Sequence, residues 1–246
     1  MDRMVVAPAR PASTVVMLRP SASRFEVFLV RRHDNVGFMG GVHVFPGGRV
    51  DPDDEVPDAK GLEERLETAI ARMDGMPTAQ AIAHHVAASR ELLEESGVRI
   101  EPHDLTPFAR WVTPDFQPKR FDTWFFLAVT PSGQAAAHDG VENSDSAWMD
   151  PADAIEMCRG GDLTLAPPTW TTLRKLDTFR DIEAAMRWAR TAQIVCVQPA
   201  FVEREDSRML MLPGDPLNPA PPGFEVPPET RFLMKNHRWK PVDPSG

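Results

Sequence analysis

Arg90-Glu91-Leu92-Leu93-Glu94-Glu95-Ser96-Gly97-Val98 sets three carboxylates among nine residues. Read as a helix, Glu91, Glu94 and Glu95 stand at i, i+3 and i+4 and crowd one face. At about 100° per residue, Ile82, Val86 and Leu93 gather on the other side, which predicts a helix buried along that stripe. Gly97 ends the helix just past its C-cap, and Val98 to Ile100 reads as a strand. Three like charges on one helical face repel one another, and a cation relieves that repulsion. A set of oxygen ligands suits Mg²⁺ or Mn²⁺ rather than Zn²⁺. Taken alone, an acidic run is more often a solvated helix face. Two neighbours shift the balance. Arg90 lies four residues before Glu94 and can orient a carboxylate through a bidentate pair. Upstream, Phe45-Pro46-Gly47-Gly48 supplies a strand end and two glycines where backbone can approach a metal or phosphate closely.

At these residues the sequence resembles the Nudix hydrolases, whose box reads G-x5-E-x7-R-E-U-x-E-E-x-G-U, with U a bulky aliphatic residue. The second half is met at Arg90, Glu91, Leu92, Glu94, Glu95, Gly97 and Val98. The first half is met at Gly48, but the family's Glu falls on Asp54. Between Asp54 and Arg90 lie 35 residues where the pattern has seven, an insertion of 28. Gly47-Gly48-Arg49-Val50-Asp51-Pro52 ahead of such an insertion is similar to the subgroup related to the peroxisomal coenzyme A diphosphatases.

The remaining sequence sets bounds. A chain of 246 residues with 42% hydrophobic residues can bury a sizeable core as one elaborated domain. Its net charge of −9 and the lack of a basic stripe argue against a nucleic-acid backbone as partner. Cys158 and Cys196 read as reduced thiols. No signal peptide and no apolar run of about 20 residues is visible, so a soluble cytoplasmic protein without a membrane partner is expected.

In chain order, Ser13 to Leu18 and Phe25 to Arg32 read as strands joined by a turn. Arg31, Arg32 and His33 close the second strand, where they can face substrate phosphates. Val42 to Phe45 is expected as the strand that delivers Gly47 and Gly48. Residues 59 to 75 carry Leu62, Leu66, Ile70 and Met73 at helical spacing. That amphipathic helix, within an insertion spanning about 55–83, should pack on the fold or on a second subunit of a homodimer. Pro77 fits the first turn of the box helix. His84 and His85, near its start, read as surface residues or supports rather than metal ligands. Phe108 to Val112 and Arg120 to Val129 read as further strands. Helices are expected from Pro167 to Phe179 and from Asp181 to Thr191, and strands at Gln193 to Gln198, Arg208 to Leu212 and Phe232 to Lys235. Pro213 to Pro228 is proline-dense and should wrap the surface in extended form.

The resemblance implies the Nudix fold, an α/β architecture with a mixed β-sheet between helices. The domain would cover residues 1–199, with residues 200–246 as a Pro-rich extension packed on it. It implies hydrolysis of a nucleoside diphosphate linked to another group, with Mg²⁺ or Mn²⁺ held by Glu94, Glu95 and the Gly47 carbonyl. Glu91 is implied as a ligand or as the base for the attacking water, and Arg90 as the group that orients a carboxylate. Asp54, one methylene shorter than the usual Glu and separated from the helix by the insertion, is left out of this site. Glu142, six residues before Trp148, matches the family's late acidic ligand, with Asp145 as second choice. Arg31, Arg32 and Gly48 are expected to contact substrate. The subgroup points to coenzyme A or its acyl esters, although Gly37 stands where the coenzyme A signature of related enzymes has an arginine. The alternatives are ADP-ribose, dinucleotides and NADH, or a silent Nudix-like protein that senses a nucleotide. RNA decapping is disfavoured by the missing basic groove.

Overall fold

In the computed structural model the described residues are all except 1–5, 35–39, 56–59, 74, 139, 142, 205–206, 236–237 and 243–246. The fold is built around β1 (Arg10–Pro20), in which Val15, Val16, Met17 and Leu18 are all fully buried. A strand covered on both faces reads as a continuous apolar run rather than an alternating one. The alternation survives in where the side chains go. Val15 and Met17 join one core cluster, while Val16 and Leu18 join the other, across the sheet.

The neighbours of β1 follow the same rule. β2 (Phe25–Arg32) pairs with it antiparallel, and sends Phe28 and Val30 to one side and Val27 and Leu29 to the other. Short β3 (His43–Val44) pairs with β2, and β4 (Gly47–Arg49) runs antiparallel to β1. On the opposite edge of β1, β6 (Phe121–Val129) runs parallel from Arg10↔Phe121 to Leu18↔Val129. β5 (Thr106–Val112) is antiparallel to β6, β7 (Asn143–Met149) joins β2, and β8 (Cys196–Val197) closes the far edge parallel to β5. The result is a mixed eight-stranded sheet.

Helices cover both faces, which is the α/β arrangement expected from the sequence. On one side lie α1 (Lys60–Ile70) and α2 (Thr78–Ser96). On the other lie α3 (Pro151–Gly160), α4 (Pro167–Leu176) and α5 (Ile182–Thr191). A second, four-stranded antiparallel sheet comprises β9 (Ala200–Arg204), β10 (Ser207–Met211), β11 (Arg231–Lys235) and β12 (Arg238–Val242). Leu210, Leu212 and Phe232 from this region enter the same core cluster as Val16 and Leu18. No helix among the described residues is long and apolar enough to cross a membrane.

Several expectations are corrected. The buried stripe of α2 is Ala81, His85, Ala88, Leu92 and Glu95, not Ile82, Val86 and Leu93; of those three only Ile82 is buried. Small alanines let the helix lie close on the sheet, and a pattern scored on large aliphatics overlooks them. Of the two readings given for His84 and His85, the surface one falls, because both are buried, and the supporting one remains. Ser13 Oγ lies 3.0 Å from His84 Nδ1, and His85 Nδ1 lies 2.9 Å from the Ala81 carbonyl. Val98 to Ile100 is buried at Val98 and Ile100 but forms no strand. β9 and β12 were not expected, because their polar alternation lies beside proline-rich sequence.

The inserted segment packs on the fold as expected. Leu66 and Met73 are buried, with Ile70 against the same core. Arg72 donates to the carbonyls of Ala189, Arg190 and Ala192 at 2.7, 2.5 and 2.9 Å, so its charge meets the carbonyl end of α5.

Candidate active site

The last turns of α2 face β4, and two glycines make that approach feasible. A Cβ on Gly47 would sit 2.3 Å from the Ser13 carbonyl oxygen, and one on Gly48 would sit 2.4 Å from the Glu91 carboxylate. Any side chain at either position would push β4 off β1 or off the helix. Gly47 N–H donates to Glu95 Oε2 at 2.9 Å, joining strand and helix directly.

The three helix carboxylates occupy different environments. Glu95 is 5% exposed, whereas the side chains of Glu91 and Glu94 are 15% and 57% exposed. Burial pushes the Glu95 carboxyl from 4.5 to about 7. Hydrogen bonds from Gly47 N–H and the Asn143 side chain oppose the shift, Glu91 adds to it, and the charge of Arg32 resists it. Asn143 is 1% exposed at the start of β7, and sequence reasoning missed it. Its signal was its place beside Glu142, in a strand whose register with β2 shifts at Arg31 and Arg32.

Arg90 does more than orient one carboxylate. Its Nε and Nη2 each donate to Asp54 at 2.9 Å, its Nη1 donates to Glu91 at 2.9 Å and Glu94 at 3.1 Å, and Nη2 also reaches the Arg49 carbonyl at 3.0 Å. Asp54 is 2% exposed and also accepts Asp51 N–H at 2.8 Å. The omission of Asp54 is therefore corrected. A one-turn 3₁₀ helix (Pro52–Asp54) brings the shorter carboxylate up to the guanidinium, and the insertion loops out between the two. These hydrogen bonds, led by the Asp54 pair, hold the Arg90 guanidinium charged.

The expected phosphate contacts separate. Arg32 lines a cavity of about 400 Å³ together with Gly47, Gly48, Arg49 and Glu91. Its Nε is buried with no hydrogen-bond partner among the described residues. Arg31, next along the strand, pairs with Asp34 at 2.7 Å and Ser144 at 3.0 Å and does not line that cavity. Asp145 is exposed opposite Arg31, and Glu142 lies outside the described residues. The same cavity is also lined by aromatics: Trp111 and Phe125 from the main sheet, Phe116 from the loop after β5, and Trp239 from β12. Phe116 stacks on Phe201 of β9 with centroids 3.5 Å apart.

Among the described residues no three His, Cys, Asp or Glu side chains close around a point as a finished metal cage would. Glu91 and Glu94 are turned onto Arg90 instead. The donor set nevertheless fits a hard divalent cation. It offers carboxylate oxygens only, and the raised Glu95 shows a buried carboxylate short of neutralising charge.

A NUDIX domain model matches residues 75–176. The acyl-coenzyme A diphosphatase NUDT19 of Xenopus laevis is 23% identical, covering 82% of this chain and 73% of its own length. The human protein of that name is 24% identical, covering 85% of this chain and 74% of its own length. A Nudix hydrolase crystal structure from Alicyclobacillus acidocaldarius superposes with a TM-score of 0.61 at 25% identity, covering 74% of this chain and 97% of the other. The matched residues contain the whole of α2 and hence Arg90, Glu91, Glu94 and Glu95. With these residues gathered against Gly47 and Gly48, residues 75–176 carry a NUDIX domain, and the fold is that of the Nudix hydrolases.

Proposed function

We propose that the protein hydrolyses the diphosphate of coenzyme A or acyl-coenzyme A, giving 3′,5′-ADP and a phosphopantetheine or its acyl ester. The observation that carries this reading is the 400 Å³ cavity, whose lining combines Gly48, Glu91 and Arg32 with Trp111, Phe116, Phe125 and Trp239. A diphosphate needs charge compensation, while the pantetheine and adenine need apolar or stacking surface, and this lining offers residues for both. The relatives named as acyl-coenzyme A diphosphatases, aligned over more than four-fifths of the chain, support the same choice.

In this reading Glu94, Glu95, the Gly47 carbonyl and Glu142 hold Mg²⁺ or Mn²⁺, and Glu91 serves as a further ligand or as the base that takes a proton from the attacking water. When bound, the cations supply neutralisation of the diphosphate oxygens and of the charge that develops on the leaving oxygen. Arg90, fixed by Asp54, holds Glu91 and Glu94 in place. Arg32 meets a phosphate oxygen, and Gly48 lets the phosphate approach the backbone.

The deciding experiment compares kcat/KM for coenzyme A, 3′-dephospho-coenzyme A, ADP-ribose, a dinucleoside polyphosphate and NADH with saturating Mg²⁺ and Mn²⁺. Coenzyme A or an acyl ester is expected to lead. If ADP-ribose, the dinucleotide or NADH leads by a wide margin, the substrate is that compound and the reaction class stands. Tight binding of one of them without turnover would make the protein a nucleotide sensor.

A further inference from the structure

A second cavity, of about 480 Å³, adjoins the diphosphate cavity at Trp111. Trp111 lines both; Val197 of β8 borders the second cavity, and Pro199, two residues further on, borders the first. Phe108, Trp111, Trp188, Val195 and Val197 give the second cavity an apolar surface, beside the polar Thr171, Thr172, Thr178 and Gln193. Its roof is the stretch from Gly223 to Pro228 in the proline-dense segment. That roof is pinned at its sides. Lys175 Nζ meets Glu225 at 2.6 Å, and Arg174 Nε meets Glu229 at 3.0 Å. It also lies close against the end of α5, since a Cβ on Gly223 would sit 2.1 Å from Gln193 Oε1.

We infer that this second cavity receives the acyl arm of a fatty acyl thioester whose diphosphate lies in the first. The inference rests on the coenzyme A reading above and adds a binding site to it. The larger share of the lining is carbon, with the three threonines and Gln193 as its neutral polar groups. A polymethylene chain asks only for removal from water, which such walls provide. The charges at the mouth choose between a tethered chain and a free fatty acid. Arg174 and Lys175 are both already paired with carboxylates, so no unpaired cation among the described mouth residues awaits a fatty acid head group. An ester arm brings no such charge.

Chain-length dependence provides the test. The wild-type protein and the variants Ala192→Phe and Val195→Trp, both filling the cavity from the connection between α5 and β8, are assayed with coenzyme A and its butanoyl, octanoyl and dodecanoyl esters. For the wild type, kcat/KM is expected to rise with chain length, by up to about fourfold per methylene buried, mainly through KM. Both variants should hydrolyse coenzyme A within about twofold of wild type and lose the gain with chain length. A flat wild-type series, or a gain retained in both variants, overturns the inference. If coenzyme A and its esters are not cleaved at all, the catalytic reading fails separately. Calorimetric binding of dodecanoyl-coenzyme A against coenzyme A then decides the cavity: tighter binding of the ester, lost in the variants, supports it, and equal binding overturns it. Dodecanoate competing as strongly as its ester also overturns it, in favour of a free fatty acid site.

Discussion

The Arg90 guanidinium grips both oxygens of the buried Asp54 carboxylate at 2.9 Å each, across an insertion that separates them by 36 positions. The pair links the loop after β4 to the helix that carries the acidic cluster. It leaves Nη1 free to hold Glu91 and Glu94.

Asp54→Asn keeps the shape and removes the charge and one acceptor. Breaking a buried ion pair by removing one partner costs about 3–5 kcal/mol, and partial exposure of Arg90 reduces that to about 1–3 kcal/mol here. Turnover should fall at least tenfold, because Arg90 then has no fixed orientation from which to hold Glu91 and Glu94. Urea denaturation and kcat check the two effects. Wild-type values for both would show that the pair only decorates the loop.

Glu95→Gln tests the buried carboxylate without relying on turnover. The folded pKa of about 7 lies above the ordinary 4.5, so Glu95 costs stability that grows as pH rises from 4.5 to 7. At pH 8 in EDTA the Gln variant should be more stable than wild type by about 1–3 kcal/mol. Adding Mg²⁺ or Mn²⁺ should raise the wild-type Tm and leave the variant's nearly unchanged. Turnover of the variant should drop by several orders of magnitude, as should that of Glu94→Gln. A wild-type Tm indifferent to both metals would remove Glu95 from the metal site.

Much of this site was legible because chemistry and spacing coincide within one helix. Arg90, Glu91, Glu94 and Glu95 need only helical geometry to be placed together, and Gly47 and Gly48 declare themselves because nothing larger fits. Asp54 and Asn143 were not legible. Each reaches the site through tertiary folding, one from the mouth of a long insertion and the other from a strand two elements further along the sheet. The fold divides similarly. The strands buried on both faces and the helices with strong stripes were visible, whereas α2 was misoriented by its alanines. The edge strands β9 and β12 hide in polar alternation that resembles loop.

His85→Leu isolates a pH dependence. Burial lowers the His85 imidazole from 6.5 to about 4, and His84 behaves alike. Between those values the unfolded chain binds protons that the folded one refuses, so stability falls as pH drops from 6.5 towards 4. For His85 alone the loss at pH 5 is about 2 kcal/mol. Glu95 works in the opposite direction over part of the same range, but it is common to wild type and variant and cancels in the comparison. His85 Nε2 is buried without a hydrogen-bond partner among the described residues, so leucine should cost little at pH 7.5. Denaturation midpoints at pH 5 and 7.5 should then differ less in the variant than in the wild type. Parallel pH profiles would mean that His85 is protonated in the native protein.

Arg31 and Arg32 are adjacent, and their substitution should have unequal consequences. Arg32 lines the diphosphate cavity beside Glu91 and Gly48, with a buried Nε that meets no partner among the described residues. Arg31 is spent on Asp34 and Ser144 outside it. Successive strand residues point to opposite faces, so only one of the two can address the substrate. A charge-assisted contact to a phosphate contributes about 1.5–3 kcal/mol, which sets the expected loss in kcat/KM for Arg32→Ala at roughly ten- to a hundredfold. Arg31→Ala should stay within about threefold of wild type, since exposed pairs of this kind contribute about 1 kcal/mol or less. The comparison is made at saturating Mg²⁺, so that the influence of Arg32 on the Glu95 charge does not limit the rate. Equal losses for the two variants, or a larger loss at Arg31, would place the phosphates on the other face of β2.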